Sequence, residues 1–216
     1  MSLITLKNIK KEYGKNQVLF ENLSLEIEKG EFVGLVGKSG AGKTTLLNII
    51  GLITDISEGT ITIDGHQNLS MNGKNAMILR RYTIGYLFQN YGLIEDESVL
   101  WNLKLALEYK KIKREEKLKL INKYLKQFEL SDMLNKKVYQ LSGGEQQRIA
   151  IIKLILQGSQ IILADEPTSG LDKENELIVM KFLKELNEKG ITIIMVTHNM
   201  NLCDCFSRVI NVENFR

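Results

Sequence analysis

Apolar and polar side chains alternate over residues 22–28, NLSLEIE, which is the period of a strand with one buried face. Two short and almost wholly apolar runs, EFVGLVG at 31–37 and IILAD at 161–165, are typical of parallel strands that are buried on both faces. Longer apolar patterns predict helices that begin near Thr44 and Lys173. Further short strands are predicted at 59–64, 83–88, 192–198 and 207–212.

The pattern becomes helical between residues 91 and 157. Four apolar residues at spacings of three and four form a stripe with lysines between them: Leu118, Ile121, Leu125 and Phe128. On either side of this block, strands alternate with helices, which favours an α/β fold with a mostly parallel sheet. We therefore predict a single domain over 1–216, in which 1–90 and 158–216 form the core and 91–157 form an inserted helical subdomain.

Composition narrows the class of protein. The chain has 216 residues and a formal net charge of +3, too small an excess to indicate a nucleic-acid partner. The lysine-rich stretch 110–126 is interrupted by Glu115 and Glu116, as on a solvated helix face. Two cysteines and two histidines make a structural zinc site an unfavoured interpretation, and Cys203 and Cys205 are expected to be reduced. Because no secretory start or membrane-spanning run is visible, we expect a cytoplasmic protein.

A glycine-rich segment after the buried strand 31–37 carries the strongest chemical signal. It matches the phosphate-loop pattern G-x-x-x-x-G-K-[ST] in the required place, between a strand and a helix. Its backbone N–H groups can face phosphate oxygens, Lys43 can reach the β and γ phosphates, and the Thr44 hydroxyl can ligate Mg²⁺. A glycine-rich turn with a surface lysine is the alternative. The segment comprises Gly37, Lys38, Ser39, Gly40, Ala41, Gly42, Lys43 and Thr44.

Two carboxylates follow the apolar strand 161–165. Such a strand places Asp165 and Glu166 at the carboxyl edge of the sheet, where ligands bind in open α/β folds. Asp165 can hold Mg²⁺ through water, which leaves Glu166 to polarise an attacking water molecule. Taken alone, the same residues would be an ordinary strand and a charged turn. After a phosphate loop they indicate a nucleoside triphosphatase.

The segment LSGGEQQR at 141–148 has Ser142 and Glu145 at the spacing of a helix capping box. A serine-capped helix start beside two glycines predicts a second anion-binding segment in the same chain. A plain helix start is the alternative, and this motif by itself does not decide between them.

Together, the phosphate loop, LSGGEQQR and ILADEPTSGLD resemble the ATP-binding subunit of ABC transporters over nearly the whole chain. The resemblance implies a P-loop NTPase, RecA-like core with an antiparallel β-subdomain and an inserted helical subdomain. It also implies ATP and Mg²⁺ as cofactors. Two copies would face each other head to tail, with each ATP between the phosphate loop of one copy and the LSGGE segment, including Ser142 and Gly144, of the other.

The resemblance assigns further residues position by position. Tyr13 would stack on adenine, and Ser39, Gly40 and Thr45 would join the nucleotide contacts. The other assignments concern catalysis and the partner copy. Gln89 would touch Mg²⁺ or the attacking water, Asp172 would contact the opposite subunit, and His198 would sense the γ-phosphate. Outside the family context, Tyr13 and His198 would be unremarkable residues at strand ends.

The same resemblance implies an ATPase that drives a separate membrane permease and lies at the inner face of the membrane. The sequence of these motif segments is most similar to that of ATPases which serve exporters of antimicrobial peptides, lipoproteins or drugs such as macrolides. A regulator of a membrane complex, of the cell-division type, is the alternative. Repair and ribosome-associated members need coiled-coil arms or tandem cassettes, which 216 residues do not hold.

Three features depart from the family pattern. IAIIKLILQGSQ replaces an alanine- and arginine-rich stretch after LSGGEQQR, and Gly158 and Ser159 stand where a proline is common before the strand 161–165. The acidic run 95–97 is unusual where the permease normally docks. Leu93, Ile94 and Trp101 are candidates for a permease groove, although a role in the core is equally consistent with their apolar character.

Overall fold

A computed structural model of the chain describes residues 2–14 and 17–215. The ends of the predicted domain, Met1 and Arg216, lie outside the described residues. The strands are β1 Ser2–Tyr13, β2 Gln17–Glu28, β3 Phe32–Val36, β4 Glu58–Ile63, β5 Ile84–Leu87, β6 Ile161–Asp165, β7 Thr192–Val196 and β8 Arg208–Asn211. The α-helices are α1 Lys43–Ile50, α2 Lys74–Tyr82, α3 Val99–Ala106, α4 Arg114–Gln127, α5 Gly143–Gln157 and α6 Lys173–Glu188.

These strands form two sheets. A three-stranded antiparallel sheet has the order β2-β1-β4, and a five-stranded sheet has the order β5-β6-β7-β3-β8. Every pairing in the larger sheet is parallel. Both the mostly parallel core sheet and the antiparallel β-subdomain are therefore confirmed. Parallel strands end at the same edge, so the segments that follow β3, β5, β6 and β7 come together there.

Two clusters of buried apolar side chains cover the faces of the parallel sheet. Successive residues of β7 belong to different clusters, because successive side chains of a strand point to opposite faces. Ile194 and Val196 pack with α1 and the antiparallel sheet, whereas Ile193 and Met195 pack with α3, α5 and α6. The central strand is thus buried on both sides, as its uniformly apolar sequence predicts.

The chain between β5 and β6 is helical, as predicted, and it contributes α3, α4 and α5. Of the predicted stripe on α4, Ile121 and Leu125 are buried, and Phe128 is buried just after the helix ends. Leu118 is only half-buried, so the buried stripe is shorter than predicted. In the part of the chain that the structure describes, none of the helices combines the length and the apolar character needed to cross a bilayer.

Candidate functional site

The phosphate-loop segment links the carboxyl end of β3 to the start of α1. Gly42, the last residue before α1, has a φ of 95°, in the left-handed region that glycine tolerates. A Cβ atom there would lie 2.8 Å from the ring of Phe20 and 3.0 Å from Leu19, so a side chain does not fit. The turn into α1 therefore requires glycine both for its backbone angle and for the approach of β2.

Lys43 lies folded over this loop. Its side chain is only 7% exposed, and Nζ donates to the carbonyl oxygens of Gly37 at 2.8 Å and Lys38 at 3.0 Å. The loop is closed further by Ala41, whose N–H donates to the Lys38 carbonyl. An ammonium held at the mouth of a glycine loop is suited to binding phosphate.

A cavity of about 560 Å³ opens beside the loop. Tyr13 forms part of its wall, with its hydroxyl 3.3 Å from Thr45 Oγ1 and its ring 4.8 Å from the Lys11 ammonium. The sequence did not indicate the contribution of β2 to the wall, because nothing in an alternating strand distinguishes Gln17 and Leu19 from their neighbours. The lining residues are Tyr13, Gln17, Leu19, Ser39, Gly40, Gly42, Lys43, Thr44, Thr45, Glu166 and His198.

Asp165, at the end of β6, meets the phosphate loop directly. The Thr44 hydroxyl donates to Asp165 Oδ1 at 3.1 Å. Burial raises the pKa of Asp165, and the neighbouring Glu166 carboxylate raises it further, while the Thr44 hydrogen bond and Lys43 oppose that rise. A hydroxyl and a carboxylate side by side are the hard oxygen ligands that Mg²⁺ prefers, so these two residues fit a magnesium ion that is completed by phosphate and water.

Glu166 stands beside His198 at the cavity. Glu166 Oε2 is 3.2 Å from His198 Nδ1, and the glutamate backbone has a φ of 46°, unusual for a residue with a side chain. Its N–H donates to the carbonyl of Val196, at the end of β7. This strained turn directs the carboxylate to the cavity, where a side chain could take a proton from water.

The other predicted residues lie elsewhere. Ser142 caps α5: its N–H and hydroxyl donate to Glu145 Oε2 at 2.7 and 2.8 Å, so the capping box forms as predicted. Asp172 caps α6, and neither it nor Ser142 nor Gly144 lines the cavity. Gln89 follows β5 and is exposed, also outside the cavity wall. The chain thus carries a phosphate-loop cavity and, apart from it, the capped starts of α5 and α6.

Comparison with known proteins identifies the family. The family model described as ABC transporter matches residues 20–169. An uncharacterized ABC transporter ATP-binding protein, MJ1508 of Methanocaldococcus jannaschii, is 40% identical over 215 residues, which cover 98% of this chain and 96% of that protein. A macrolide export ATP-binding/permease protein, MacB of Campylobacter jejuni, is 42% identical over 98% of this chain but only 33% of its own length. The chain therefore spans about a third of the macrolide exporters that it matches.

Solved structures agree with this assignment. The cassette MJ0796, described as dimeric in a post-hydrolysis state bound to ADP and Pi, superposes with a TM-score of 0.86 at 38% identity, covering 96% of this chain and 93% of that one. CbiO1 from Clostridium perfringens, part of a cbiONQ transporter complex, gives a TM-score of 0.83 at 25% identity, covering 98% and 86% of the two chains. The chain therefore belongs to the ABC transporter family, as an ATP-binding domain that is an ATPase.

Proposed function

We propose that two copies of this chain bind ATP with Mg²⁺ between them, head to tail, and use its hydrolysis to drive a membrane permease. One observation carries this proposal: Ser142 and Gly144 lie outside the cavity that contains the phosphate loop. If all these residues serve one nucleotide, the serine-capped segment must come from a second copy. The dimeric MJ0796 cassettes support this arrangement.

Within one copy, the phosphate loop supplies the larger half of the pocket. Ser39 and Gly40 offer contacts to the β-phosphate region, and Lys43 exchanges its loop carbonyls for phosphate oxygens. The half-exposed ring of Tyr13 provides an adenine platform. Thr44 and Asp165 would hold Mg²⁺, which would neutralise charge on the phosphates, and Gln89 would be a further contact of Mg²⁺ or of the attacking water.

Hydrolysis needs a base near the γ-phosphate. Glu166 takes a proton from the attacking water, and His198, 3.2 Å away, orients that carboxylate and contacts the γ-phosphate. Because the γ-phosphate bridges both copies, its release lets them separate. Asp172 belongs to the surface that meets the second copy.

Relatives named as macrolide export ATP-binding/permease proteins support a permease partner. This chain matches only about a third of such a relative, whose name describes one protein with both an ATP-binding part and a permease. On this basis we propose export of a peptide, lipoprotein or drug, with the chain bound at the inner face of the membrane through the permease. Ile94 and Trp101 are exposed, and Leu93 is half-buried. Trp101 lies on α3 and the Ile94 backbone hydrogen-bonds to Asn102 of that helix, so a permease helix could dock there.

The substitution Glu166→Gln tests the split pocket. We expect ATP binding to persist, hydrolysis to fall by at least about 100-fold because the base is lost, and a stable ATP-bound dimer to accumulate. Hydrolysis is measured by phosphate release and assembly by analytical ultracentrifugation. The added substitution Lys43→Ala is the control, since it should prevent both ATP binding and dimer formation. Hydrolysis at the parent rate would exclude Glu166 as the base, and a strictly monomeric protein would exclude the shared pocket.

A further inference from the structure

The first turns of α5 and α6 are joined by the side chain of Asn175. Its Nδ2 donates to both carboxylate oxygens of Asp172, at 3.1 and 3.0 Å, and its backbone N–H donates to Oδ1 at 2.8 Å. One residue therefore provides every donor just described to this carboxylate. The side-chain donors fix the rotation of the carboxylate, which the backbone donor alone leaves free.

The opposite side of the same amide contacts α5. A Cβ atom on Gly144 would lie 2.6 Å from Asn175 Oδ1 and 2.9 Å from its Cγ, so the amide packs directly on the glycine backbone. Arg148 Nη1 approaches Asn175 Oδ1 at 3.4 Å from the next turn of α5. The amide nitrogen thus donates to Asp172 at the start of α6, while the face of the amide packs on Gly144 and its oxygen accepts from Arg148, both on α5.

We propose that Asn175 is a positioning residue that holds Asp172 and the Ser142–Gly144 segment at a fixed separation. This inference rests on the proposed head-to-tail dimer, in which both segments meet the second copy. A dimer that depends on two contacts is more stable when the spacing of the two contacting segments is fixed beforehand, because less conformational entropy is then lost on association. Asn175 touches neither nucleotide nor partner in this scheme and acts through its two neighbours.

Helix capping does not explain the side chain. Asp172 caps α6 by accepting the backbone N–H of Asn175, which any residue but proline would supply. Replacing Asn175 by alanine keeps that cap but removes the two side-chain donations to Asp172 and the contacts with Gly144 and Arg148 of α5. A role limited to capping therefore predicts that Asn175→Ala dimerises normally.

The experiment introduces Asn175→Ala and Asn175→Asp into the Glu166→Gln protein and measures ATP-dependent dimerisation by sedimentation. Asn175→Asp keeps an acceptor for Arg148 but loses both side-chain donations to Asp172 and places a second carboxylate against it, so we expect it to weaken dimerisation by at least about tenfold. Asn175→Ala loses the same donations without adding a charge and should weaken dimerisation less. ATP affinity of the monomer should stay unchanged, because the phosphate loop is untouched.

Asn187→Asp is the matched control. It makes the same exchange on the same helix and loses two donations, to the carbonyls of Gly30 and Ile191, away from the proposed dimer surface. It should lower Tm without changing the dimer dissociation constant. An equal loss of dimerisation in this control, or normal dimerisation of both Asn175 variants, overturns the inference and leaves the split pocket intact. A monomeric Glu166→Gln parent overturns both.

Discussion

Asp165 is a carboxylate whose ionised form is disfavoured by burial and by Glu166 but favoured by Thr44 and Lys43. It lies half-buried at the end of a core strand, where burial raises its pKa, and Glu166 next to it adds a second negative charge. Thr44 and Lys43 compensate only in part. A carboxylate in such surroundings is poised for a cation, and Mg²⁺ beside the phosphate loop would offset the cost of keeping it ionised. Function and stability of the free chain therefore conflict at this residue.

The substitution Asp165→Asn should separate the effect of this carboxylate on stability from its effect on ATP hydrolysis. Because the folded pKa of Asp165 is raised, its contribution to stability is complete below the unfolded pKa of about 3.9 and is lost as pH rises through the folded pKa. We therefore expect the nucleotide-free Asn variant to have a higher Tm than the parent at neutral pH, with the gain disappearing in acid. Hydrolysis should fall at least about 100-fold, because Asp165 is one of the two residues proposed to hold Mg²⁺. A lower Tm at neutral pH would contradict the argument.

Among the elements, the start of helix α5 has two roles: it must be capped for the helix to be stable, and it is proposed to contact the second copy. Ser142 and Glu145 close a reciprocal box, so the helix start is rigid although it is largely exposed. The donors from Ser142 hold the pKa of Glu145 below its ordinary value, and Arg148 and Lys136 add weaker attraction. A rigid start of α5 would hold the serine-capped segment in a fixed orientation toward a phosphate group of the nucleotide that the second copy is proposed to bind.

Glu145→Ala should lower the free energy of unfolding by about 1 kcal/mol, because the N-terminal N–H of the box loses its acceptor. Glu145→Gln retains an acceptor and should cost less. Since the folded pKa of Glu145 is lowered, the parent's advantage over the Gln variant exists above about pH 4.3 and declines as pH falls through the folded value. Urea denaturation at neutral and acid pH measures both effects. Equal stabilities of the parent and the Ala variant would refute the contribution of the box.

Sequence patterns predicted most of the elements because their signals are local. A buried strand, a glycine loop and a capping box are each contained in about ten residues, as at 31–44 and 141–148. Helix α2 was missed because Ala76 and Leu79 are its only buried residues among those the structure describes. The link through Asn175 could not be predicted, because it depends on the spatial meeting of α5 and α6 rather than on any spacing along the chain.

Across the whole molecule, the parallel sheet is shared by two apolar clusters. Its central strand β7 contributes Ile193 to one cluster and Ile194 to the other, and both side chains are fully buried. Neither cluster can be lost without exposing one face of the same strands. The phosphate-loop cavity and the helical segment between β5 and β6 are therefore coupled through a common sheet, although they lie on different parts of the chain.

Truncation on either face should consequently destabilise the same cooperative unit. Ile193→Ala and Ile194→Ala should each lower the free energy of unfolding by about 2–5 kcal/mol, the range for large-to-small changes in a core. Scanning calorimetry of each variant should show one transition at a lower Tm. A variant with two separate transitions would show that the clusters unfold independently. The exposed Leu177 on α6 provides a control, because Leu177→Ala removes little buried surface.

The order of strands in the parallel sheet also determines at what point during synthesis the phosphate loop can be held in place. The neighbours of β3 are β7 and β8, which emerge from the ribosome long after the glycine loop that β3 carries. Until they arrive, β3 has two unsatisfied edges, and the loop has no firm support. We therefore expect the phosphate loop to bind nucleotide only after β7 and β8 have joined the sheet, and the apolar strand β3 to be prone to aggregation until then.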